Sequence, residues 1–325
     1  MGARKFRQPC VILNPRAASG AAARRWPALR PTIEATLGSV VVHLTERPSH
    51  ATQLARGALR GGSDLVVAVG GDGTLNEVVN GYFSDGRPVN PDAALALCPL
   101  GTGGDFRRSA GIPTSPEEAV KAIVAEPVRR IDACRVGLAA ADGSDLERYV
   151  LNVASFGMGG EVSVRAKQSF LAAVNGRAAF LWATVLTFLR YRARTVRLAL
   201  DGVQAENDTR VMQVAVGNGR FHGGGMNVCP LARLDSGFLE VTVIEEIGLL
   251  TFLLALPLLY SGRIYTHPKC RHYRVRKAAA TSSDRVLAEA DGEAVGALPF
   301  SVEVMPGAVS IAGIGAPEWG QPNPG

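Results

Sequence analysis

Aromatic residues make up only 6% of the 325-residue chain, and its 35 lysines and arginines are not interleaved with them. Proteins that bind single-stranded nucleic acid alternate basic residues with stacking rings, so nucleic acid is excluded as the partner. Cysteine is scarce too. Cys10, Cys98, Cys134, Cys229 and Cys270 are odd in number and scattered, with no Cys-x-x-Cys pair and no histidine cluster nearby. That pattern excludes a disulfide framework and a zinc site, and reads as reduced core thiols of a cytoplasmic protein. No apolar run reaches the roughly 20 residues that cross a bilayer. The most apolar stretch, Leu249–Tyr260, is too short and contains Pro257. The first residues hold no apolar signal core, and Phe6 stands where a myristoylation signal wants Ser or Thr, so neither secretion nor lipidation is expected.

What is present is an ordinary globular balance, 47% apolar and 20% charged, in a chain long enough for two domains. By charge alone, a net +6 with a pI near 9.3 fits any anionic partner, and with nucleic acid set aside by the scarcity of aromatics a nucleotide or an acidic membrane surface remains. Much of the excess lies in two groups, Arg190, Arg192, Arg194 and Arg197, then Lys269, Arg271, Arg274, Arg276 and Lys277. Taken separately, each reads as a solvated edge. Their closeness to apolar segments also fits contact with a membrane.

The run Leu65–Val69 lacks polar alternation, as a strand buried on both faces does, and breaks into Gly70-Gly71-Asp72-Gly73-Thr74. Thr74 and Glu77 have capping-box spacing, so a helix is expected to start here, with Leu75, Val78, Val79 and Tyr82 on one face. Glycines beside a helix N-terminus make a phosphate site. Asp72 would repel a bare phosphate, which argues for Mg²⁺ between carboxylate and phosphate and hence for ATP chemistry.

Strands alternate with helical patterns over residues 1–130, predicting a nucleotide-binding α/β domain built on a doubly wound parallel sheet. Ligands bind beyond the carboxyl ends of such strands, so Asn14-Pro15, Thr45, Gly70 to Thr74 and Gly101 to Asp105 are expected to converge. Residues 131–315 carry many short strand patterns and read as a β-sandwich or open barrel, interrupted by helices near Ala178–Tyr191 and Leu249–Tyr260. The second helix is expected to lie buried against the sheet, the alternative being an interfacial helix facing lipid. Residues 316–325, rich in Gly and Pro, are expected to be a flexible tail.

With these residues in view, the chain resembles the diacylglycerol kinase catalytic-domain family, which includes sphingosine and ceramide kinases and bacterial soluble lipid kinases. The anchors are Asn14-Pro15, Thr45, Gly70 to Thr74 with Asn76 and Glu77, Pro99 to Phe106, Asn152 to Gly160, Gly217 to Met226, Pro230 to Leu239, and Asp291-Gly292-Glu293. The resemblance implies an N-terminal sheet like that of NAD kinase and phosphofructokinase, joined to a C-terminal β-sandwich that takes the lipid. It implies ATP held by Asn14, Pro15, Thr45, Gly70, Gly71, Asp72, Gly73, Thr74, Asn76, Glu77, Thr102 and Asp105. Asp72 and Asp105 would organise Mg²⁺, and Asp291 or Glu293 would be the base near the lipid hydroxyl; spacing alone makes Asp291-Gly292 a hairpin turn. A second, structural Mg²⁺ is implied at Arg233, Asp235, Ser236 and Phe238.

The chain departs from the family at Gly104, where Asn is usual, and at Ser236, where relatives place Asp. The expected function is transfer of the γ-phosphate of ATP to a membrane lipid hydroxyl, diacylglycerol first and a ceramide or sphingoid base next, by a cytoplasmic protein in peripheral contact with the membrane. The rival readings are an NAD kinase, which shares the acidic turn, and a nucleotide-binding regulatory protein without catalysis. A homodimer is left open.

Overall fold

The computed structural model describes residues 6–140, 142–168, 184–205 and 207–315. The expected tail, 316–325, lies outside these, as do residues 178–183 of the expected first helix. The chain divides into two compact units, Met1–Ile131 with Gly307–Gly325, and Asp132–Pro306.

The first unit is a parallel sheet. Strands β1 (Pro9–Leu13), β2 (Val41–Leu44) and β3 (Leu65–Gly70) pair in parallel, with β1 between the other two. A small hairpin, β4 (Phe83–Ser84) and β5 (Arg87–Pro88), precedes β6 (Ala94–Pro99), which pairs in parallel with β3. The helices are α1 (Ala17–Leu37), α2 (His50–Arg60), α3 (Asp72–Tyr82), α4 (Asp105–Ala110) and α5 (Pro116–Ala125). Regular helix in α1 begins only after Ala18, Ser19 and Gly20, all at positive φ. Because successive strand residues point to opposite faces, Val11, Leu13, Val67 and Val69 enter one core with Leu29 and Ile33 of α1 and Val120 and Ile123 of α5. The residues between them, Ile12, Val66 and Ala68, are equally buried on the other face, where α2 and α3 pack together. This two-sided burial is why β3 reads as an unbroken apolar run.

The second unit is antiparallel. Its strands are β7 (Arg129–Ala139, the first three residues belonging to the first unit), β8 (Asp145–Val150), β9 (Val153–Gly157), β10 (Arg194–Leu200), β11 (Val203–Gln204), β12 (Thr209–Gly217), β13 (Phe221–His222), β14 (Met226–Asn227), β15 (Leu239–Glu245), β16 (Cys270–Val275), β17 (Lys277–Thr281), β18 (Leu287–Ala290) and β19 (Glu293–Ile311). They enclose a core that includes Val136, Val150, Phe156, Val214, Val241 and Phe300. Among the described residues, three α-helices accompany them: α6 (Met158–Gln168), α7 (residues 184–190) and α8 (Leu249–Ser261).

Two expectations need correction. Residues 307–315 belong to the first unit instead of the second: Ser310 and Ile311 of β19 pair in parallel with Ala94 and Leu95 of β6. A contact between segments so far apart in sequence leaves no local signature. Helix α8 is only half buried. Phe252, Ala255 and Leu259 face inward, while Leu250 and Leu254 are 72% and 71% exposed, and Leu249 and Leu253 are exposed as well. A helix apolar all round carries no sequence mark of which face is outward.

Candidate functional site

In the first unit, chain ends converge at the carboxyl edge of the parallel sheet. The Asn14 amide side chain donates to Thr74 Oγ1 at 3.1 Å, tying the end of β1 to the start of α3, while Asn14 and Thr45 N–H groups donate to the carbonyls of Val69 and Leu13. Gly71 and Gly101 press backbone to backbone, since a Cβ on Gly101 would stand 2.3 Å from Gly71 Cα. A Cβ on Gly70 would stand 2.4 Å from Thr74 Oγ1. Only glycine permits this closeness. Gly71, the N-cap of α3, has no side chain with which to cap the first turn, an arrangement suited to an anion. Thr102 is exposed at the same edge.

The capping box does not form. α3 starts at Asp72, two residues before Thr74, and the Glu77 carboxylate serves another helix: it accepts the N–H groups of Ser49 at 2.9 Å and Ala51 at 3.0 Å, at the N-terminus of α2. Asn76 is buried within α3 and accepts from the Asn80 side chain.

Asp72 is engaged too. Its carboxylate accepts the N–H groups of Asp105 at 3.0 Å and Phe106 at 3.3 Å, capping α4. Burial pushes the Asp72 carboxyl above its ordinary range and the charge of Asp105 adds to this, against the pull of backbone N–H groups. Asp105 pairs with Arg108 at 2.9 Å. The Gly104 backbone N–H adds to the hold on the Asp72 carboxylate. Two neighbouring carboxylates beside an uncapped helix start fit a Mg²⁺ that arrives with nucleotide phosphates, which needs one or two protein carboxylates. They do not make a dedicated cage, since the described residues include no group of three or more His, Cys, Asp or Glu placed to hold an ion. Gly104, at φ 71°, is the N-cap of α4 in the left-handed region that Asn and Gly tolerate best, so its exchange for the family's Asn conserves the backbone.

In the second unit, Asp291 and Gly292 (φ 49° and 84°) form the two-residue turn between β18 and β19, with Ala290 opposite Glu293. The hairpin reading and the acidic-motif reading therefore fall on the same residues. Asp291 Oδ1 accepts the N–H groups of Asn152 and Val153, each at 3.1 Å, and Oδ2 accepts that of Leu151 at 3.3 Å. The 151–153 segment is itself pinned by Asn218, whose side chain donates to the carbonyls of Leu151 and Asp132, and by Asn152, which donates to Phe221 O.

Sequence reasoning missed the neighbouring Glu289. It is fully buried, accepts from Ser155 Oγ at 2.6 Å and Ser163 Oγ at 2.8 Å, and lies 3.1 Å from His222 Nε2. The available signal was one acidic residue inside an otherwise apolar strand.

The second Mg²⁺ does not fit. Ser236 Oγ donates to Phe238 O at 3.0 Å, Ser236 N–H donates to Arg233 O at 3.3 Å, and Asp235 faces Arg233. The guanidinium carbons of Arg274 and Arg276 lie 4.3 and 4.9 Å from the centre of the Phe238 ring. Asp235, the one carboxylate of the expected set, is turned to Arg233, and a hydroxyl with two carbonyls is a poor remaining set for a hard cation. Four of the nine basic residues in the two groups have acidic partners: Arg194 with Asp284, Arg197 with Asp208, and Lys269 and Arg271 with Glu245.

Comparison with known proteins bears on this geometry. Residues 8–136 match the diacylglycerol kinase catalytic domain, and residues 152–313 match the YegS C-terminal NAD kinase beta sandwich-like domain. A "Probable lipid kinase YegS-like" from Stenotrophomonas maltophilia (strain K279a) is 33% identical over 271 residues, 83% of this chain and 85% of the relative. The chain belongs to the diacylglycerol kinase catalytic-domain family. Another relative of the same name, from Pseudomonas aeruginosa (strain UCBPP-PA14), is 36% identical over 63% of this chain and 62% of its own length. A crystal structure of a "putative diacylglycerol kinase" from Bacillus anthracis str. Sterne is 25% identical, with a TM-score of 0.76 and coverage of 95% of this chain and 98% of that one. Membership makes this chain an enzyme of the lipid kinase class and its second unit a β-sandwich-like domain.

Proposed function

We propose that this lipid kinase transfers the γ-phosphate of ATP to the hydroxyl of a membrane lipid, with diacylglycerol as the first choice of acceptor and phosphatidic acid as product. The observation that carries the reading is the conjunction of glycine cradle, uncapped α3 and paired Asp72 and Asp105 in the first unit. On this reading the first-turn amides of α3 and the backbone at Gly70 to Gly73 hold phosphate oxygens, and Asn14 keeps Thr74 in place beside them. Bound Mg²⁺ would neutralise charge on the transferred group, with Asp72 and Asp105 as its carboxylates. In the second unit the Asp291 carboxylate accepts the hydroxyl proton, the role that the resemblance to the family implies for it. The lipid oxygen forms the new P–O bond as the bond to the β-phosphate oxygen breaks, and ADP leaves with that oxygen.

The test incubates purified protein with γ-labelled ATP, Mg²⁺ and detergent micelles carrying diacylglycerol, ceramide or sphingosine in parallel, with soluble NAD as the comparison. Label in diacylglycerol supports the reading. Label in a sphingoid lipid instead would replace the acceptor, and label only in NAD would overturn the lipid reading.

A further inference from the structure

Helix α8 presents a face that its own core does not use. At 100° per residue, Leu249, Leu250, Leu253, Leu254, Pro257 and Tyr260 fall on one side, opposite the inward Phe252, Ala255 and Leu259. All six outward residues are exposed, and Tyr260 at the C-terminal end is the residue type that settles at a membrane–water boundary. Alongside lies α7, joined to α8 by stacking of Phe188 on Phe252, with ring centres 4.1 Å apart and planes at 15°. It adds the exposed Leu189 and, directly after it, the exposed Arg190 and Arg192. Arg263 stands exposed just beyond the C-terminus of α8.

The charge of the two helices themselves is one-sided; on neighbouring elements Glu161 and Asp284 lie near Tyr191, and Asp284 pairs with Arg194. Residues 184–194 and 248–263 contain no Asp or Glu. The acidic residues that precede α8 are already matched, Glu245 by Lys269 and Arg271, and Glu246 by Arg210. No helix among the described residues is long and apolar enough to cross a membrane. An exposed leucine face bordered by arginines, with no acid of its own, has the composition of a helix lying in the headgroup layer of an anionic membrane.

We propose that the outward face of α8, with Leu189, Arg190 and Arg192 of α7, is the surface by which this protein docks on an anionic lipid bilayer. Leucines 250 and 254 enter the acyl boundary, while the arginines meet lipid phosphates. This deepens the lipid-kinase reading by naming its membrane contact.

The full chain is sedimented with vesicles of phosphatidylglycerol mixed into phosphatidylcholine, and with phosphatidylcholine alone. Wild type is expected on the anionic vesicles, with binding that falls as salt is raised. Leu250→Asp/Leu254→Asp should weaken binding about 30-fold or more. Arg190→Glu/Arg192→Glu should weaken it at least about fivefold per arginine on anionic vesicles only. Both variants replace exposed side chains, and circular dichroism checks that they fold. Phosphorylation of a short-chain monomeric diacylglycerol in solution should stay within about twofold, because neither variant touches the residues proposed for transfer. Wild-type binding by both variants would overturn the proposal, as would a leucine variant that separates a dimer into monomers without changing vesicle binding. The two ideas fail separately. Vesicle binding through α8 without label in any lipid sinks the kinase reading alone, and labelled lipid with indifferent α8 variants sinks the docking surface alone.

Discussion

Replacing Asp291 by two different residues separates its chemical role from its structural one. Its carboxylate anchors three backbone N–H groups at a residue whose φ is 49°. Asp291→Ala removes all three bonds, each to a charged acceptor, and places a Cβ-bearing residue without a polar side chain in the left-handed region. With the site half-buried, the loss is about 3–5 kcal/mol, lowering the melting midpoint by roughly 6–15 °C. Asp291→Asn is milder. Asn-Gly is itself a preferred pair for this turn, and an amide oxygen in the place of Oδ1 keeps the bonds to Asn152 and Val153. The expected loss is about 1 kcal/mol. If the carboxylate is the base, turnover of diacylglycerol by the Asn variant still falls about 10²–10⁴-fold, while ATP affinity is unchanged. The assay pairs single-turnover kinetics with a melting curve on the same sample. An Asn variant that melts near wild type and keeps turnover within threefold would refute the assignment of Asp291.

Glu77→Ala should destabilise by about 1–2 kcal/mol through loss of the α2 cap yet shift ATP affinity less than about threefold; a large loss of ATP affinity without loss of stability would return Glu77 to the nucleotide. Burial lifts the thiols of Cys10 and Cys270 from 9.0 to about 11 and those of Cys98 and Cys229 to about 12. The unfolded chain releases these protons first. Their contribution is therefore complete below about pH 9 and is lost as pH rises toward the folded values. Urea midpoints should fall over that window, and native protein should resist thiol reagents; rapid labelling of several thiols at neutral pH would contradict this burial.

What the sequence displayed and what it concealed divide along contact range. The buried parallel strands were legible because burial on both faces removes polar alternation, as in Leu65–Val69. The glycine turn was legible because close backbone approach leaves few alternatives to glycine. Glu77 was misread because its true partners, Ser49 and Ala51, lie on another helix, and a spacing rule sees only its own. The helix at Leu249–Ser261 was legible as a helix, but its outward face depends on what packs against it. Ser236 marked a changed loop without revealing that its hydroxyl closes the loop by bonding to Phe238 O.

The return of residues 307–315 to the first unit has a consequence during synthesis. Strand β6 can gain its partner at Ser310 and Ile311 only after Asp132–Pro306 has been translated, roughly 10–35 s later at ribosomal rates. For that interval the nascent first unit carries an unfinished sheet border at Ala94 and Leu95, an opening for a chaperone or for pairing with another nascent chain. A fragment ending at Ile131 would keep that border open permanently. The first unit is therefore the first to begin folding and the last to be completed.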